Sequence, residues 1–444
     1  MNNGTNQLNN NNQQGNTPQQ VPGPSLDVVN YLPPSARKKS SAGKFFLGLF
    51  LGILVGALAL TLVFLLSYRK TGRFRLTGSG AAGEGEILDQ TTLDKIELLN
   101  QYINDYYYKD TEVSVEDRQV GLFNGLMESL DDVYSVYYTE EEMKQLTMQT
   151  SGIYYGIGAY ISFNESAQRA YISGIIANSP ASESDLQEND IILYVDGTTT
   201  EGLKTDEVAM LVRGEEGTQV TLTVFRDTEE IDITLTRRKV ESPTVNHEMK
   251  DAENGIGYLQ ITEFDDVTYA QFMEAYNDLK SSKMKGLILD LRSNPGGNLN
   301  TVCDIANELL PAGNIVYTVD KNGYKEEYKS DGKNEISIPM VVLVNQNSAS
   351  ASEILAGAIK DYEKGTLVGK KTFGKGIVQR IFFFEDGTGM KVTVSSYYTP
   401  NGINIHGEGI APDVEVEYDA DAYKADGTDT QLDKAMEVLK EKMK

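Results

Sequence analysis

The stretch of sequence that decides the fold is residues 339–362, PMVVLVNQNSASASEILAGAIKDY. It opens with an apolar run over residues 339–344, which predicts a buried strand. Apolar side chains then recur at helical spacing, at Leu355, Ala358, Ile359 and Tyr362. A strand that leads through a polar turn into a helix is the building unit of an α/β core.

The same alternation continues on the N-terminal side of this stretch. Apolar patterns predict strands over 257–261 and 286–290 and helices over 269–279 and 300–310. We therefore predict an α/β core over residues 241–420, followed by a C-terminal helix over 421–444.

The apolar period changes before residue 241. Short alternating segments predict strands over 170–175, 190–195, 219–225 and 231–235. These strands indicate a β-rich domain over 153–240, whereas residues 88–150 carry helical spacing. The predicted fold is therefore a multidomain α+β chain.

The N-terminal part of the chain has three compositions in succession. Residues 1–44, rich in Asn and Gln, predict a disordered tail. Residues 45–67 contain an uncharged run long enough to span a bilayer, so we expect a transmembrane helix in contact with lipid. Residues 68–87 predict a linker. Four basic residues precede the apolar run and four follow it, so charge does not decide its orientation.

The composition excludes several classes of protein. The net charge is −25, and an acidic chain is a poor ligand for phosphate, so no nucleic acid is expected. The single cysteine, Cys303, and the two separated histidines, His247 and His406, form no metal-binding pattern. We expect neither a metal ion nor a cofactor.

A glycine-rich turn opens the β-rich domain, at Tyr155, Gly156, Ile157 and Gly158. Two glycines that flank one apolar residue let successive backbone N–H groups turn inward and hold a carboxylate. The strand that follows could pair with an extended peptide. A plain glycine turn is the alternative.

Ser350 stands between the predicted strand and helix of the opening stretch. A nucleophile there would benefit from the free N–H groups of the helix N-terminus. Ser350 and Glu353 also match a capping box, so a helix cap is the alternative. This segment alone favours the cap.

Lys375 lies between two glycines, 25 residues after Ser350, and Gln379 follows it. If a strand begins at residue 375, these two side chains share one face. A lysine activates a serine only when it is neutral, which requires lowering its pKa from about 10.4 to about 7–8. Burial can supply this shift, and Gln379 could orient the amine.

Several motifs together resemble the carboxyl-terminal processing (tail-specific) serine protease family. The motifs run in family order along most of the chain: Leu130-Asp131-Asp132-x-Tyr134-Ser135, Asp290-Leu291-Arg292-x-Asn294-Pro295-Gly296-Gly297, Ser348-Ala349-Ser350-Ala351-Ser352-Glu353 and Phe373-Gly374-Lys375-Gly376. Residues 153–240 are similar to the PDZ domains of bacterial proteases, which implies recognition of substrate C-termini.

The resemblance implies a role for each matching residue. Ser350 would be the nucleophile, Lys375 the general base and Gln379 its orienting partner. Gly296 or Gly297, together with the N–H of Ala351, would form the oxyanion hole.

Other residues are placed by spacing or by the same resemblance. Arg213, at the end of a predicted helix of the PDZ-like domain, is a candidate for sensing a bound peptide, and a solvated surface arginine is the alternative. Asp361 lies about 16 Å along the predicted helix from Ser350 and is assigned a structural role, as is His406.

The resulting expectation is an endopeptidase with a Ser-Lys dyad in an α/β protease core, preceded by a PDZ domain. Family resemblance places it on a bacterial cell membrane as a single-pass protein with the catalytic part outside the cytoplasm. A homodimer is a candidate assembly. A silent membrane-tethered PDZ adaptor and a hydrolase of small acyl esters remain as alternatives.

Overall fold

The structure is a computed structural model that describes residues 87–108 and 113–444. The predicted tail (1–44), the predicted transmembrane helix (45–67) and the linker up to residue 86 lie outside these residues. Within the described ranges, no helix has both the length and the apolar character needed to cross a bilayer. The described residues fall into two units that divide after Arg118.

The predicted helical region contains three helices and one strand. Their bounds are α1 Gln90–Tyr106, α2 Val115–Glu128, β1 Val136–Tyr138 and α3 Glu140–Ser151. Asp89 caps α1, since its Oδ1 accepts the backbone N–H of Thr92 at 2.7 Å. The expectation of an all-helical segment over 88–150 was therefore wrong at residues 136–138, where β1 pairs with a distant strand.

The β-rich domain follows α3. Its elements are β2 Ile153–Gly156, β3 Ala159–Asn164, β4 Arg169–Ile175, β5 Ile191–Val195, β6 Thr198–Thr199, α4 Thr205–Val212, β7 Gln219–Arg226, β8 Glu229–Thr236 and β9 Arg238–Glu241. Strands β3, β4, β5, β7 and β8 form an antiparallel sheet in that order, and β2 pairs with β9. Alternate side chains of β7 (Val220, Leu222 and Val224) are fully buried, as the period-2 pattern predicts.

The α/β core contains the remaining elements. They are β10 Val245–Asp251, β11 Ile256–Ile261, α5 Thr268–Ser281, β12 Gly286–Asp290, α6 Leu299–Leu309, β13 Gly313–Asp320, β14 Lys325–Ser330, β15 Met340–Val344, α7 Ala351–Asp361, β16 Thr366–Gly369, β17 Ile377–Phe383, β18 Gly389–Tyr398, β19 Val414–Glu415, α8 Ala420–Asp426 and α9 Thr430–Lys442. The segment 421–444, predicted as one helix, therefore contains two helices: α8 apart from its first residue, and all of α9.

The central sheet has the strand order β10-β11-β12-β15-β16-β19 and is parallel from β11 onward. Every residue of β12 and β15 is buried. In β15, Val342 faces the cluster that includes residues of α5, α6 and α7, whereas Val341 and Leu343 face the cluster that includes α9. Because helices cover both faces, the strand is apolar throughout.

A second, antiparallel sheet lies beside this core. Its order is β1-β18-β13-β14, with β17 also paired to β18. This arrangement joins β1, β17 and β18 into one sheet, so residues before the β-rich domain and residues near 380 become neighbours.

A buried ion-pair cluster ties the end of β12 to the start of α9. Arg292 pairs with Asp290 at 2.7 Å and with Asp429, the N-cap of α9, at 2.8 Å. Asp290 is fully buried, so its charge is compensated chiefly by this arginine. The cluster fixes the start of the loop that follows β12.

Candidate active site

Ser350 lies at the carboxyl end of β15, immediately before α7. Its side chain is fully buried, and its backbone has φ 53° and ψ −114°. This ψ puts Ser350 outside the left-handed region that turn residues adopt, so its backbone stores strain of the kind that clusters at functional sites. The turn thus holds the backbone of Ser350 in a conformation that an ordinary helix-capping residue does not need.

The capping alternative for Ser350 can be checked directly. Its backbone N–H donates to Oε2 of Glu353 at 2.9 Å, which is half of a capping box. Its Oγ, however, has no hydrogen-bond partner among the described residues. The hydroxyl therefore does not cap α7 and stays available for chemistry.

Glu353 is the centre of the site's hydrogen bonds. Its buried carboxylate accepts four donors: Ser350 N at 2.9 Å, Lys375 N at 2.8 Å, Gly374 N at 2.7 Å and Thr372 Oγ1 at 2.6 Å. Burial raises the pKa of Glu353, and these hydrogen bonds oppose that effect. One carboxylate thus fixes the backbone of both proposed dyad residues.

Lys375 lies in the loop between β16 and β17 and is only 3% exposed. Its Nζ sits 4.6 Å from the centroid of the Tyr134 ring. The condition for a shared strand face is not met, since β17 begins at Ile377 and its pairing with β18 shifts register between Val378 and Gln379.

Gln379 is fully buried on β17. Its Nε2 donates to Oγ1 of Thr393 on β18 at 3.1 Å. Its Oε1 has no hydrogen-bond partner within the described part of the chain. Because Ser350 Oγ is also without one, neither side chain is hydrogen-bonded to the amine of Lys375 in this conformation.

The loop after β12 brings two glycines against the Ser350 turn. Gly296 has φ 109°, and a Cβ built on it would lie 2.8 Å from Ser350 Cβ and 3.0 Å from Ala351 N. Gly297 has φ 142°, and its Cβ would lie 2.3 Å from the carbonyl oxygen of Phe264. Only glycine fits this close approach at both positions.

The N–H groups of this loop are not equivalent. Gly296 N donates to Oδ1 of Asn294 at 2.8 Å, inside the loop itself. Asn294 in turn accepts the N–H of Ala349 with its carbonyl at 3.0 Å. These bonds fasten the loop to the nucleophile turn, and the N–H of Gly296 is already used within the loop.

A groove of about 610 Å³ lies on the β-rich domain beside the predicted carboxylate turn. It is lined by Gly156, Ile157 and Gly158 of that turn, and by residues of β3, α4 and α3. Tyr154, rather than the predicted Tyr155, is among its lining residues.

Arg213 also lines this groove, at the C-terminal end of α4. Its guanidinium lies 5.5 Å from the ring centroid of Tyr154, and its Cγ is 3.9 Å from a Cβ built on Gly156. A cation therefore stands next to the turn that is predicted to hold a carboxylate.

The structure gives Asp361 and His406 contacts away from Ser350 Oγ. Asp361 Oδ2 accepts the backbone N–H of Asn401 at 2.8 Å. His406 Nδ1 accepts the backbone N–H of Gly376 at 3.4 Å. Within the described ranges, no group of three or more His, Cys, Asp or Glu side chains is arranged to hold a metal ion.

Two residues of the site carry more than sequence reasoning assigned to them. Glu353 was considered only as a helix cap, and its contact with the loop of Lys375 depends on folding. Tyr134 belongs to the Leu130–Ser135 motif, but no local sequence pattern indicates that its ring packs against Lys375.

Comparison with known proteins shows which family the chain belongs to. A model of peptidase family S41 matches residues 255–416, and a PDZ-domain model matches residues 171–226. A carboxyl-terminal-processing protease of Synechocystis is 40% identical over 296 residues, covering 66% of this chain and 69% of that protein.

A second relative spans more of the chain. The carboxy-terminal processing protease CtpA of Bacillus subtilis is 34% identical over 409 residues, which is 89% of this chain and 84% of that protein. The two family-model matches lie in the β-rich domain and in the α/β core. The chain therefore belongs to peptidase family S41, as a serine peptidase of the carboxyl-terminal processing protease family with a PDZ domain.

Proposed function

We propose that this chain is an endopeptidase in which Ser350 attacks the substrate carbonyl and Lys375 is the general base. The observation that carries the proposal is the arrangement of Ser350: a buried, strained and uncapped serine at a helix N-terminus. Its backbone is fixed by the same carboxylate oxygen that holds the backbone of Lys375.

The reaction follows an acyl-enzyme course. Neutral Lys375 takes the proton of Ser350 Oγ as the oxygen bonds to the scissile carbonyl carbon. The resulting oxyanion accepts hydrogen bonds from the N–H groups of Ala351 and Gly297. The C–N bond then breaks, and the Lys375 ammonium returns the proton to the leaving amine. Water, deprotonated by Lys375, hydrolyses the ester and regenerates Ser350.

Gln379 assists by orienting the amine of Lys375. Its Oε1 is the buried acceptor on the β17 side of the site, and its Nε2 is fixed by Thr393. An amide oxygen directs an amine without adding a charge that would favour the ammonium form.

The PDZ groove supplies the substrate preference. The glycine turn offers backbone N–H groups, and Arg213 offers a positive charge, to a terminal carboxylate. The groove is lined largely by apolar side chains, including Ile157, Ile161 and Ile176, which favour apolar C-terminal residues. Capture there raises the concentration of the substrate near Ser350.

The closed site implies a conformational step. Ser350 has no exposed surface, so a polypeptide reaches it only after the residues around it move. We place this motion at binding of the substrate C-terminus, with Arg213 as the sensing contact. Residues 45–67 anchor the chain in the membrane in this proposal, with the catalytic part outside the cytoplasm.

The proposal is tested with an unfolded protein substrate that has either a free or an amidated C-terminus. We expect wild-type enzyme to cleave the free form faster, and Ser350→Ala and Lys375→Ala to cleave neither. Arg213→Ala should remove the preference for the free carboxylate. Arg238→Ala, a half-exposed arginine of the same domain paired with Glu183, is the matched control.

The alternatives give different outcomes in the same assay. Carboxylate-dependent binding without turnover in wild type would support a PDZ adaptor. Cleavage of a small acyl ester but of no protein substrate would support an acyl hydrolase. Equal turnover in wild type, Ser350→Ala and Lys375→Ala would overturn the assignment of the dyad.

A further inference from the structure

Tyr134 contacts the proposed base from outside the core strands. The ring lies in the loop between α2 and β1, and its centroid is 4.6 Å from Lys375 Nζ. This distance is within the range in which an aromatic face attracts a cation. Since Lys375 is almost fully buried, water does little to weaken the attraction.

The loop that carries Tyr134 is fixed to the catalytic sheet. Asp132 accepts the hydroxyl of Ser135 at 2.6 Å and the N–H of Tyr134 at 3.0 Å. Ser135 Oγ in turn accepts the backbone N–H of Thr393 on β18 at 3.1 Å. Thr393 is the residue whose hydroxyl accepts Gln379 Nε2. The ring is therefore held in register with the strand that carries Gln379.

The electrostatics of an aromatic face distinguish the two forms of lysine. The negative face of the ring stabilises an ammonium and offers little to a neutral amine. In this conformation Ser350 Oγ has no hydrogen-bond partner in the described chain, while the amine of Lys375 lies over Tyr134. The ring and the serine are thus competing partners for one nitrogen.

We propose that Tyr134 is a positioning residue for the base: its ring holds Lys375 as an ammonium away from Ser350 until substrate binding assembles the dyad. This inference rests on the proposed role of Lys375. It adds a group that sets both the resting place of the amine and the pH at which the enzyme becomes active.

Other titratable groups lie near Lys375 or its loop and also affect the pH dependence measured in this assay. Asp132 is an anion near the amine: burial acts to raise its pKa, but hydrogen bonds from Ser135 and Thr393 and the charge of Lys375 bring it below its usual value. Glu353 accepts the backbone N–H of Lys375. His406 contacts the loop through Gly376. Variants at position 134 leave all three in place.

The test compares Tyr134→Phe with Tyr134→Leu in full-length enzyme, by the pH dependence of kcat/KM for cleavage of a fluorogenic unfolded protein. Phe keeps the aromatic face, so the acid limb of the kcat/KM profile, its low-pH side, should coincide in Tyr134→Phe and wild type. Leu keeps the site apolar but removes the face, so its acid limb should move about 0.5–1.5 pH units lower. A merely structural role for Tyr134 would lower activity without moving the limb.

A near-isosteric pair keeps the proposal testable if Tyr134→Leu fails to fold. Incorporation of phenylalanine or 3,5-difluorophenylalanine at position 134 changes the ring quadrupole with little change in size. The acid limb of the enzyme with 3,5-difluorophenylalanine should lie at lower pH than that of the enzyme with phenylalanine.

The outcomes separate this inference from the proposed function. Unchanged limbs in both the Leu and the fluorinated variant, with cleavage that still requires Ser350 and Lys375, would overturn the role of Tyr134 alone. Cleavage that survives Lys375→Ala would instead overturn the base assignment on which it depends.

Discussion

The backbone N–H groups of Ser350 and Lys375 donate to one and the same atom, Oε2 of Glu353, at 2.9 and 2.8 Å. The two residues are 25 positions apart and lie in loops that follow neighbouring parallel strands, β15 and β16. A single carboxylate oxygen therefore sets the distance between the two loops on which the proposed dyad depends. Its other oxygen accepts Gly374 N and Thr372 Oγ1.

Glu353→Gln should impair both folding and catalysis. A glutamine presents one NH₂ group toward donors that need an acceptor, so two of the four hydrogen bonds are lost and donors oppose donors. We expect the free energy of unfolding to fall by about 2–4 kcal/mol, and cleavage to fall with it. Chemical denaturation measures the first and the unfolded-substrate assay the second.

Glu385→Gln, at an exposed site after β17, is the matched control and should change the free energy of unfolding by less than about 0.5 kcal/mol. If Glu353→Gln retained wild-type stability and activity, Glu353 would not organise the two loops.

Ser350→Gly should separate stability from activity. The positive φ of Ser350 stores about 1–3 kcal/mol of strain, whereas the extra entropy of an unfolded glycine amounts to about 0.5–1 kcal/mol. Strain relief outweighs entropy, so Ser350→Gly should be inactive yet at least as stable as Ser350→Ala in thermal denaturation.

In Ala356→Gly, in the body of α7, no strain is relieved, and that variant should lose about 1 kcal/mol. A lower stability for Ser350→Gly than for Ser350→Ala would show that the turn is unstrained.

Gly296→Ala should block the nucleophile turn. Its Cβ would fall 2.8 Å from both Ser350 Cβ and Ala349 O, so either the loop or the serine must move. We expect kcat/KM to fall at least 10²-fold, because either shift displaces the nucleophile or the neighbouring N–H of Gly297 that is proposed for the oxyanion hole.

Gly323→Ala is the control for the cost of placing a side chain on a residue with positive φ. Gly323 also has positive φ, but a Cβ there meets nothing within 4 Å. It should therefore show the conformational destabilisation and keep full activity. Equal activity in the two variants would contradict a role for Gly296 in closing the site.

The stability of the fold should depend on the protonation of Asp265. Burial raises the pKa of Asp265 to about 8, with smaller contributions from Glu263 and Asp266. The folded state then binds more protons than the unfolded chain between about pH 4 and pH 8. Its contribution to stability is full below that window and is lost as pH rises through it, by at most about 1.4 kcal/mol per pH unit.

Denaturation midpoints across pH 4–9 measure this effect. Asp265→Asn should flatten the fall in stability toward pH 8 and be more stable than wild type at its upper end. Asp227→Asn, in the exposed turn between β7 and β8, should leave the wild-type profile unchanged. A wild-type slope that persists in Asp265→Asn would assign the dependence to other groups.

Much of the fold follows from local apolar patterns. Strands such as β12 and β15 are predicted because both of their faces are buried, which leaves an unbroken apolar run. Strand β1 was not predicted, because it is three residues long and depends on pairing with Lys391, Met390 and Gly389 of β18. A partner some 250 residues away leaves no periodic signal at positions 136–138.

The candidate site likewise combines features that the sequence indicates with features that depend on distant contacts. The types and order of residues around Ser350, Lys375 and Gly296 carry a family resemblance, and folding does bring their loops together. Lys375 and Gln379 do not share a strand face, because β17 starts at Ile377 and shifts register before Gln379. The ring of Tyr134 reaches Lys375 only through the second sheet, so no spacing rule could indicate it.

The ion-pair cluster of Asp290, Arg292 and Asp429 has a consequence for the order of events in synthesis. The loop that carries Gly296 and Gly297 begins at this cluster, and its anchor on α9 lies 137 residues further along the chain from Arg292. Contacts over such separations form late, after the closing of a long loop. A chain whose synthesis has not yet reached Asp429 therefore already contains its nucleophile and base but lacks one of the two carboxylates that hold Arg292.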